Sequence, residues 1–149
     1  MSDLQAIADR VEIDALRAEF TDAVLTRDFD RLASLFTEDG AVRMPEANIA
    51  VTSREEIRAG VERLQALWDC FVQHSHPGGL EIDGDTASGR TYMTELMHGR
   101  PGSHFNYGVY HDRYRRTPDG WKFAERVYEA RYVDTTPLAG AAQVSGSAP

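Results

Sequence analysis

The stretch from residue 106 to residue 132 limits the fold of this chain more than any other part. It predicts two long β-strands that meet at a tight turn over residues 117–120, where Pro118 and Gly120 supply the backbone angles that such a turn needs. Aromatic residues alternate with charged residues along both arms, as in a sheet with one apolar and one mixed face. A hairpin cannot bury its own apolar face, so we expect the preceding half of the chain to cover it.

Hydrophobic periodicity predicts three helices in the first half of the chain. The predicted inner stripe of the first helix consists of Leu4, Ile7, Val11, Leu16, Phe20 and Val24. The second helix is expected to end at Gly40, because glycine suits a left-handed residue at a helix terminus. The third begins after a capping box at residues 53–56, and its inner stripe extends to Trp68 and Phe71.

Strands are predicted at residues 41–44, 80–83, 86–98, 104–116 and 121–133. Three N-terminal helices packed in a curved, mainly antiparallel sheet predict an α+β fold. We expect the sheet to form a cone around the helices and to enclose an apolar pocket at its open end.

Composition and charge narrow the classes of function. A chain of 149 residues fits one domain, which we place at residues 1–140 and follow with a short flexible tail at 141–149. The net charge is −8 and no basic stripe is present, so no nucleic-acid partner is expected. Cys70 is the sole cysteine, which excludes an internal disulfide and a thiolate metal cluster. Neither a signal-peptide pattern nor an apolar run of membrane length is present, so we expect a cytoplasmic protein without a membrane partner.

Several short motifs, taken in order, resemble one superfamily. Residues 31–36 (RLASLF), 81–87 (EIDGDTA) and 119–123 (DGWKF) are similar to segments of NTF2-like proteins. The similarity is closest to the SnoaL-like branch, which includes polyketide cyclases, scytalone dehydratases and hexachlorocyclohexane dehydrochlorinases. The resemblance implies a cone with a buried pocket, chemistry on small hydrophobic molecules without a cofactor, and a homo-oligomer (dimer or trimer) that assembles through the sheet.

The lyases of this branch use a His–Asp pair, in which the imidazole is the base and the carboxylate fixes its tautomer. The resemblance places Leu25 at the aspartate position, Phe20 at a lysine position and Gln73 at the histidine position. Arg126 matches an arginine of the dehydrochlorinase pocket. The usual pair is therefore absent, and two ionisable side chains are replaced by apolar ones.

His74 and His76 are the candidates for a displaced base. Alternate residues of an extended segment point to opposite sides, so we expect one of the two to face the cavity; the alternative is a surface histidine. Asp22 lies on nearly the same helix face as Leu25 and is the candidate for the missing carboxylate, with a solvated acid as its alternative. No metal site is expected from these histidines, because their spacing fixes no ligand geometry.

Arg126 has two interpretations. It either faces the pocket and binds an anionic group of the substrate, or it forms an ion pair with Asp112 or Glu95. Hydrogen bonds to a substrate carbonyl or enolate are expected from Tyr92, Asn106, Tyr110 and Tyr128. Packing tyrosines are the alternative.

An apolar lining is predicted for the rest of the pocket. Its predicted members are Phe20, Leu25, Phe36, Met44, Trp68, Met93 and Met97, with Gln73 and His98 beside them. Core packing is the alternative for the apolar residues, and a solvent-facing loop position is the alternative for His98.

The leading hypothesis for function is a cofactor-independent enzyme that acts on a hydrophobic polyketide-type intermediate. The expected reaction is that of a cyclase, a dehydratase or an isomerase. With Leu25 and Phe20 at formerly ionisable positions, ring closure in a shaped cavity, including pericyclic closure, is favoured over dehydrochlorination. Two other classes remain open. One is a non-catalytic module that binds a small ligand, and the other is a small scaffold subunit of a larger enzyme.

Overall fold

The computed structural model describes residues 3–100 and 102–143, which form three α-helices, a 3-10 turn and six strands. The helices are α1 (Asp3–Leu25), α2 (Phe29–Ser34) and α3 (Arg54–Gln65), and the 3-10 turn is Pro45–Ala47. The strands are β1 (Phe36–Met44), β2 (Ile49–Thr52), β3 (Trp68–Asp83), β4 (Thr86–Gly99), β5 (Gly102–Thr117) and β6 (Gly120–Asp134). The last part of the predicted tail, residues 144–149, lies outside the described residues.

All six strands belong to one curved sheet with the order β2-β1-β6-β5-β4-β3. Strand β1 pairs with β6 in parallel, and every other neighbouring pair in the described sheet is antiparallel. The helices pack against this sheet, with α1 on β3 and β6 and α3 on β1 and β2. The predicted α+β architecture is confirmed.

The aromatic stretch forms the centre of the sheet. Strands β5 and β6 pair from Thr117 and Gly120 at the turn to Phe105 and Asp134 at the far end. Gly120 has a φ of 99°, a left-handed value that favours glycine. The hairpin between β3 and β4 turns in the same way at Gly84, whose φ is 61°.

The inner stripe predicted for α1 is correct only in its second half. Leu16, Phe20 and Val24 are buried, whereas the first three members are exposed; these are Leu4, Ile7 and Val11. The first turns of the helix direct Asp9 towards the sheet instead, where its carboxylate binds Arg116 at 2.7 and 2.9 Å. A partly buried ion pair, in which Asp9 is buried and Arg116 is partly exposed, thus occupies the place where apolar contacts were predicted.

The third helix is shorter than predicted, because it ends at Gln65. Trp68 and Phe71 belong to β3, which extends far upstream of the predicted strand and pairs with β4 along its length. Strand β3 is the last strand of the sheet order, where Pro77 removes no hydrogen bond from a central ladder, and the register shifts between Pro77 and Leu80. Because β3 is an edge strand and contains a bulge, it can continue through the Pro-Gly-Gly segment at residues 77–79.

Gly40 does not end a helix. Helix α2 stops at Ser34 and β1 begins at Phe36, so Gly40 lies inside a strand. A Cβ atom at Gly40 would lie 2.8 Å from the Cβ of Phe36, so glycine is required there by close packing rather than by a left-handed backbone. Within the described residues, none of the helices is long and apolar enough to cross a membrane.

Candidate active site

A cavity of about 470 Å³ lies between the concave side of the sheet and helices α1 and α3. Its size is in the range of pockets that bind small organic molecules. Its lining is mainly apolar and consists of Phe20, Val24, Val42, Met44, Glu46, Ala47, Ile49, Val61, Leu64, Gln65, Phe71, Gln73, Glu95, Met97, His104, Asn106, Tyr110, Tyr128, Ala130 and Val133. The predicted apolar pocket is therefore present.

Glu95 places a carboxyl group in this lining. It lies on an inward-facing position of β4 and is buried. The hydroxyl of Tyr128 donates a hydrogen bond to Oε1, and Nε2 of Gln73 donates to Oε2 at 3.3 Å. Burial raises the pKa of Glu95 above its usual value, although the two hydrogen bonds oppose the shift. A carboxyl with a pKa moved towards neutrality is suited to accept and return a proton.

Tyr128 reaches Glu95 by passing over the strand between them. Tyr128 is on β6 and Glu95 is on β4, and the intervening strand β5 has Gly108 beneath the tyrosine ring. A Cβ atom at Gly108 would lie 2.3 Å from the Tyr128 hydroxyl oxygen and 2.4 Å from Cζ. The absent side chain at residue 108 is thus a condition for the contact between Tyr128 and Glu95.

Two further polar groups in the lining have no hydrogen-bond partner among the described residues. The side-chain amide of Asn106 makes no hydrogen bond there, and its Oδ1 is buried. The hydroxyl of Tyr110 also lacks a partner in the described part of the chain, and burial raises the pKa of Tyr110. Tyr110 therefore keeps its proton near neutral pH and can donate it to a hydrogen-bond acceptor in the cavity.

Arg126 lies next to the cavity but outside its lining. Its Nε donates to Oδ1 of Asp112 at 2.7 Å and its Nη2 to Oδ2 at 3.1 Å, with both side chains buried. Its guanidinium carbon is 4.3 Å from the Phe20 ring centroid and 4.0 Å from that of Tyr110. Of the two interpretations of Arg126, the structure has the ion pair with Asp112, and the charge is satisfied within the protein.

Comparison with known proteins now identifies the fold family. The profile of the SnoaL-like domain matches residues 5–127. The chain belongs to the SnoaL-like family. An uncharacterized protein of Mycobacterium tuberculosis (strain H37Rv) is 27% identical to it over 130 residues, which cover 85% of this chain and 88% of that protein.

Solved structures agree with this SnoaL-like assignment. The crystal structure of hexachlorocyclohexane dehydrochlorinase LinA-type3 from Novosphingobium barchaimii LL02 has a TM-score of 0.84 and 26% identity, and the match covers 96% of this chain and 99% of that chain. A scytalone dehydratase-like protein from Novosphingobium aromaticivorans has a TM-score of 0.78, 21% identity and full coverage of both chains. The second similarity is evidence for the fold alone.

The SnoaL-like cavity does not include the predicted histidines. His74 and His76 are exposed and lie in an open surface groove with Asp22 and Leu25. Two residues that are two positions apart on a strand face the same side, so the expectation that only one of them faces inward was wrong. The inward positions of this part of β3 are those of Gln73 and Ser75 instead.

Asp22 and Leu25 are also outside the lining. The carboxylate of Asp22 binds Arg31 at 2.6 Å on the surface, which agrees with the solvated alternative. Leu25 is 42% exposed at the end of α1, whereas Phe20 is 4% exposed and lines the cavity. Of the two apolar replacements expected in the pocket, only Phe20 reaches it.

The other predicted pocket residues divide into two groups. Those in the lining are Phe20, Met44, Gln73, Met97, Asn106, Tyr110 and Tyr128. Those outside it are Phe36 and Met93, which are buried in the core, Trp68, which packs on His104, Tyr92, which is exposed, and His98, which binds Asp69 at 3.0 Å. These five side chains were predicted in the pocket and instead face the core or the outer surface. Met93 is on the same side of β4 as Glu95 and Met97 but packs in the core, whereas Tyr92 is on the opposite side of that strand.

Glu95, His104 and Glu46 are polar lining residues that sequence reasoning did not select. A signal for Glu95 was present, because residues 93, 95 and 97 share one side of β4 and the two methionines among them were expected to face inward. An acid between two inward-facing methionines on a strand is expected to be a buried carboxyl.

Proposed function

We propose that this chain is a cofactor-independent enzyme that transfers protons on a small hydrophobic, polyketide-type substrate, as a dehydratase or an isomerase. The observation that supports the proposal is the carboxyl of Glu95, which is buried in the lining of an apolar cavity. Related structures bear the names of a dehydrochlorinase and a scytalone dehydratase-like protein, and both names denote eliminations.

In the proposed reaction, ionised Glu95 removes a proton from a substrate carbon. A carboxylate with little water around it is a stronger base, because its charged form is poorly solvated. Tyr128 and Gln73 hold the two carboxylate oxygens in a fixed orientation. The protonated carboxyl then gives the proton to a leaving hydroxyl, in a dehydration, or to another carbon, in an isomerisation.

Tyr110 is proposed to stabilise the negative charge that develops on a substrate oxygen. Tyr110 is in the lining, and its hydroxyl has no hydrogen-bond partner in the described part of the chain. A preorganised donor in a cavity without bulk water stabilises such charge more than water does. Asn106 is placed to hold the same part of the substrate.

We favour proton transfer over a ring closure that depends on the shape of the cavity alone, for one reason. The ring-closure hypothesis assumed that Phe20 and Leu25 left the cavity without an ionisable group. Leu25 lies outside the lining, and Glu95 supplies a carboxyl from a different element, β4. Acid–base catalysis, worth about 10²–10⁴-fold in rate, is therefore available to this cavity.

The proposal is tested with 5-nitrobenzisoxazole, a small aromatic compound whose ring opens when a base removes one C–H proton. The wild-type protein is expected to accelerate ring opening, with a rate that rises with pH as Glu95 ionises. Glu95→Gln is expected to lower the rate by about 10²-fold or more. His76→Ala, on the outer side of β3, is the matched control and is expected to keep the wild-type rate. A Glu95→Gln variant with the wild-type rate would reject Glu95 as the base.

A non-catalytic ligand-binding module is the second candidate. It is favoured by the fact that both oxygens of Glu95 already accept hydrogen bonds from the protein. A binding module would show a ligand-dependent rise in melting temperature without any acceleration of ring opening. The two measurements together separate the two candidates.

A further inference from the structure

We propose that the cavity selects an uncharged ligand that donates a hydrogen bond, such as an alcohol or a phenol, over a charged ligand of the same size. The inference deepens the proposed function by defining the ligand of the same cavity. It is derived from the polar atoms of the lining that remain without partners and from the charges around them.

The first such atom is Oε1 of Gln73. While Glu95 is ionised, the other end of this amide is fixed, because Nε2 donates to Oε2 of Glu95 at 3.3 Å and a reversed amide would bring two acceptors together. Oε1 is then buried without a partner in the described part of the chain. A buried acceptor without a donor is unfavourable, so a ligand hydroxyl that donates to Oε1 is favoured.

The second atom is Oδ1 of Asn106. Asn106 lies on β5 directly opposite Glu95 in the antiparallel register, and Gln73 lies opposite Glu95 on the other side, in β3. Both amides are therefore beside the same carboxyl, on three adjacent strands. Oδ1 of Asn106 is also buried without a hydrogen bond to the described residues. The two free acceptors define one polar end in a cavity that is otherwise mainly apolar.

The charges of the lining oppose an anionic ligand. Among the described residues, the lining contains two acids, Glu46 and Glu95, and no lysine or arginine. The nearby guanidinium of Arg126 is neutralised by Asp112 and covered by aromatic rings. A carboxylate in the cavity would lose its hydration without gaining a counter-ion, which is costly.

The hydrogen bonds that the two acids already accept from the protein disfavour a cationic ligand. Glu46 accepts a hydrogen bond from the backbone N–H of Ala130, and Glu95 accepts two hydrogen bonds from side chains. An ammonium group would have to share the oxygens of Glu95 with Tyr128 and Gln73, and Glu46 is exposed to solvent, so water weakens its attraction for a cation. The apolar majority of the lining disfavours any unpaired charge.

The test compares four bicyclic probes of similar size by equilibrium dialysis at neutral pH. They are naphthalene, 2-naphthol, 2-naphthoate and the ammonium form of 2-naphthylmethylamine. We expect 2-naphthol to bind about two- to tenfold more tightly than naphthalene, the value of one net hydrogen bond, and both charged probes to bind more weakly than naphthalene. Tighter binding of 2-naphthoate or of the ammonium probe than of 2-naphthol, or no binding of 2-naphthol, would overturn the inference.

Two variants locate the effect. Gln73→Met and Asn106→Leu each replace an amide, with its free acceptor, by an apolar side chain of similar size. Each variant is therefore expected to reduce the advantage of 2-naphthol over naphthalene. His74→Ala, next to Gln73 but on the outer side of β3, is the matched control and should leave the ranking unchanged. If both acceptor variants keep the full advantage of 2-naphthol, the assignment is wrong.

The probe ranking requires no turnover. It is therefore scored independently of the rate loss expected for Glu95→Gln, and either result can fail without the other. If an acceptor variant does not fold, the affinities of the wild-type protein for the four probes still show whether the cavity prefers uncharged ligands to charged ones.

Discussion

Tyr128 on β6 donates a hydrogen bond to Glu95 on β4, across the full width of β5. The contact connects three adjacent strands on the concave side of the sheet and places a buried carboxyl in the cavity wall. Burial also raises the pKa of Tyr128, so its hydroxyl stays protonated and remains a donor near neutral pH. The orientation of the proposed base is thus set by the sheet.

Gly108→Ala is expected to break this contact. The new Cβ atom would overlap the Tyr128 hydroxyl, so the ring must move and the strand must adjust. We expect a loss of about 1–3 kcal/mol in the free energy of unfolding, the usual cost of overpacking, measured by urea denaturation.

The control for Gly108→Ala is a double-mutant cycle with Tyr128→Ala, which removes the ring that the new methyl group would meet. In the Tyr128→Ala background, Gly108→Ala should cost much less. An equal cost in both backgrounds would show that the steric conflict lies elsewhere.

The pKa of Glu95 predicts how stability depends on pH. Because burial raises the pKa in the folded protein, the stability contributed by the protonated carboxyl is present at low pH and is lost as pH rises through the folded-state pKa. Glu95→Gln stays uncharged at every pH. Relative to wild type, this variant is expected to be more stable at about pH 8 than at about pH 4, as measured by urea denaturation at both values.

Glu129→Gln provides a comparison of opposite sign. The hydrogen bonds from His111 and Arg131 lower the pKa of Glu129, so its favourable contribution is present above the unfolded-state pKa and is lost on acidification. Relative to wild type, Glu129→Gln should therefore be less stable at about pH 8 than at about pH 4, by a small amount because the site is exposed. The same sign for both variants would contradict the assigned shifts.

Asp112→Asn is expected to be strongly destabilising. It leaves the buried guanidinium of Arg126 without a counter-charge, a change that typically costs about 3–5 kcal/mol. The double variant Asp112→Asn with Arg126→Met should recover part of the loss, because no buried charge remains. Asp69→Asn, which removes the charge from a surface contact with His98, is the control and should change stability by less than about 0.5 kcal/mol.

Phe20→Ala and Leu25→Ala should differ sharply, although both residues were predicted to line the pocket. Phe20 is 4% exposed and packs edge-on against three aromatic rings, so its loss is expected to cost about 3–5 kcal/mol. Leu25 is 42% exposed, and its truncation should cost less than about 1 kcal/mol. Similar losses in thermal or urea unfolding would contradict the placement of Leu25.

The fold could be predicted because its signals are local. The turn at residues 117–120 and the alternation around it indicate the central hairpin, and short motifs indicate the family. The boundary of α3 was missed because Trp68 and Phe71 continue a helical spacing, while their strand state depends on pairing with β4, far along the chain. Propensity alone does not contain that information.

The candidate site was predicted less well, for a geometric reason. Counting along the sequence from a motif selected Gln73, which is in the lining, but also selected Leu25, which is not. Which side chains meet in the cavity depends on strand register, and a shift of one residue exchanges the two faces. Glu95 and Tyr128 come from strands that are not adjacent, so no spacing in the sequence indicates that they touch.

The ion pair between Arg126 and Asp112 has a consequence for how this protein could diverge. Asp112 lies outside the cavity lining, yet it cancels the only guanidinium that stacks on the cavity residues Phe20 and Tyr110 within the described chain. A homologue that lost this one acid and still folded would present a positive potential to the ligands in its cavity. Preference for acidic compounds could then arise from a substitution at a residue that no ligand ever contacts.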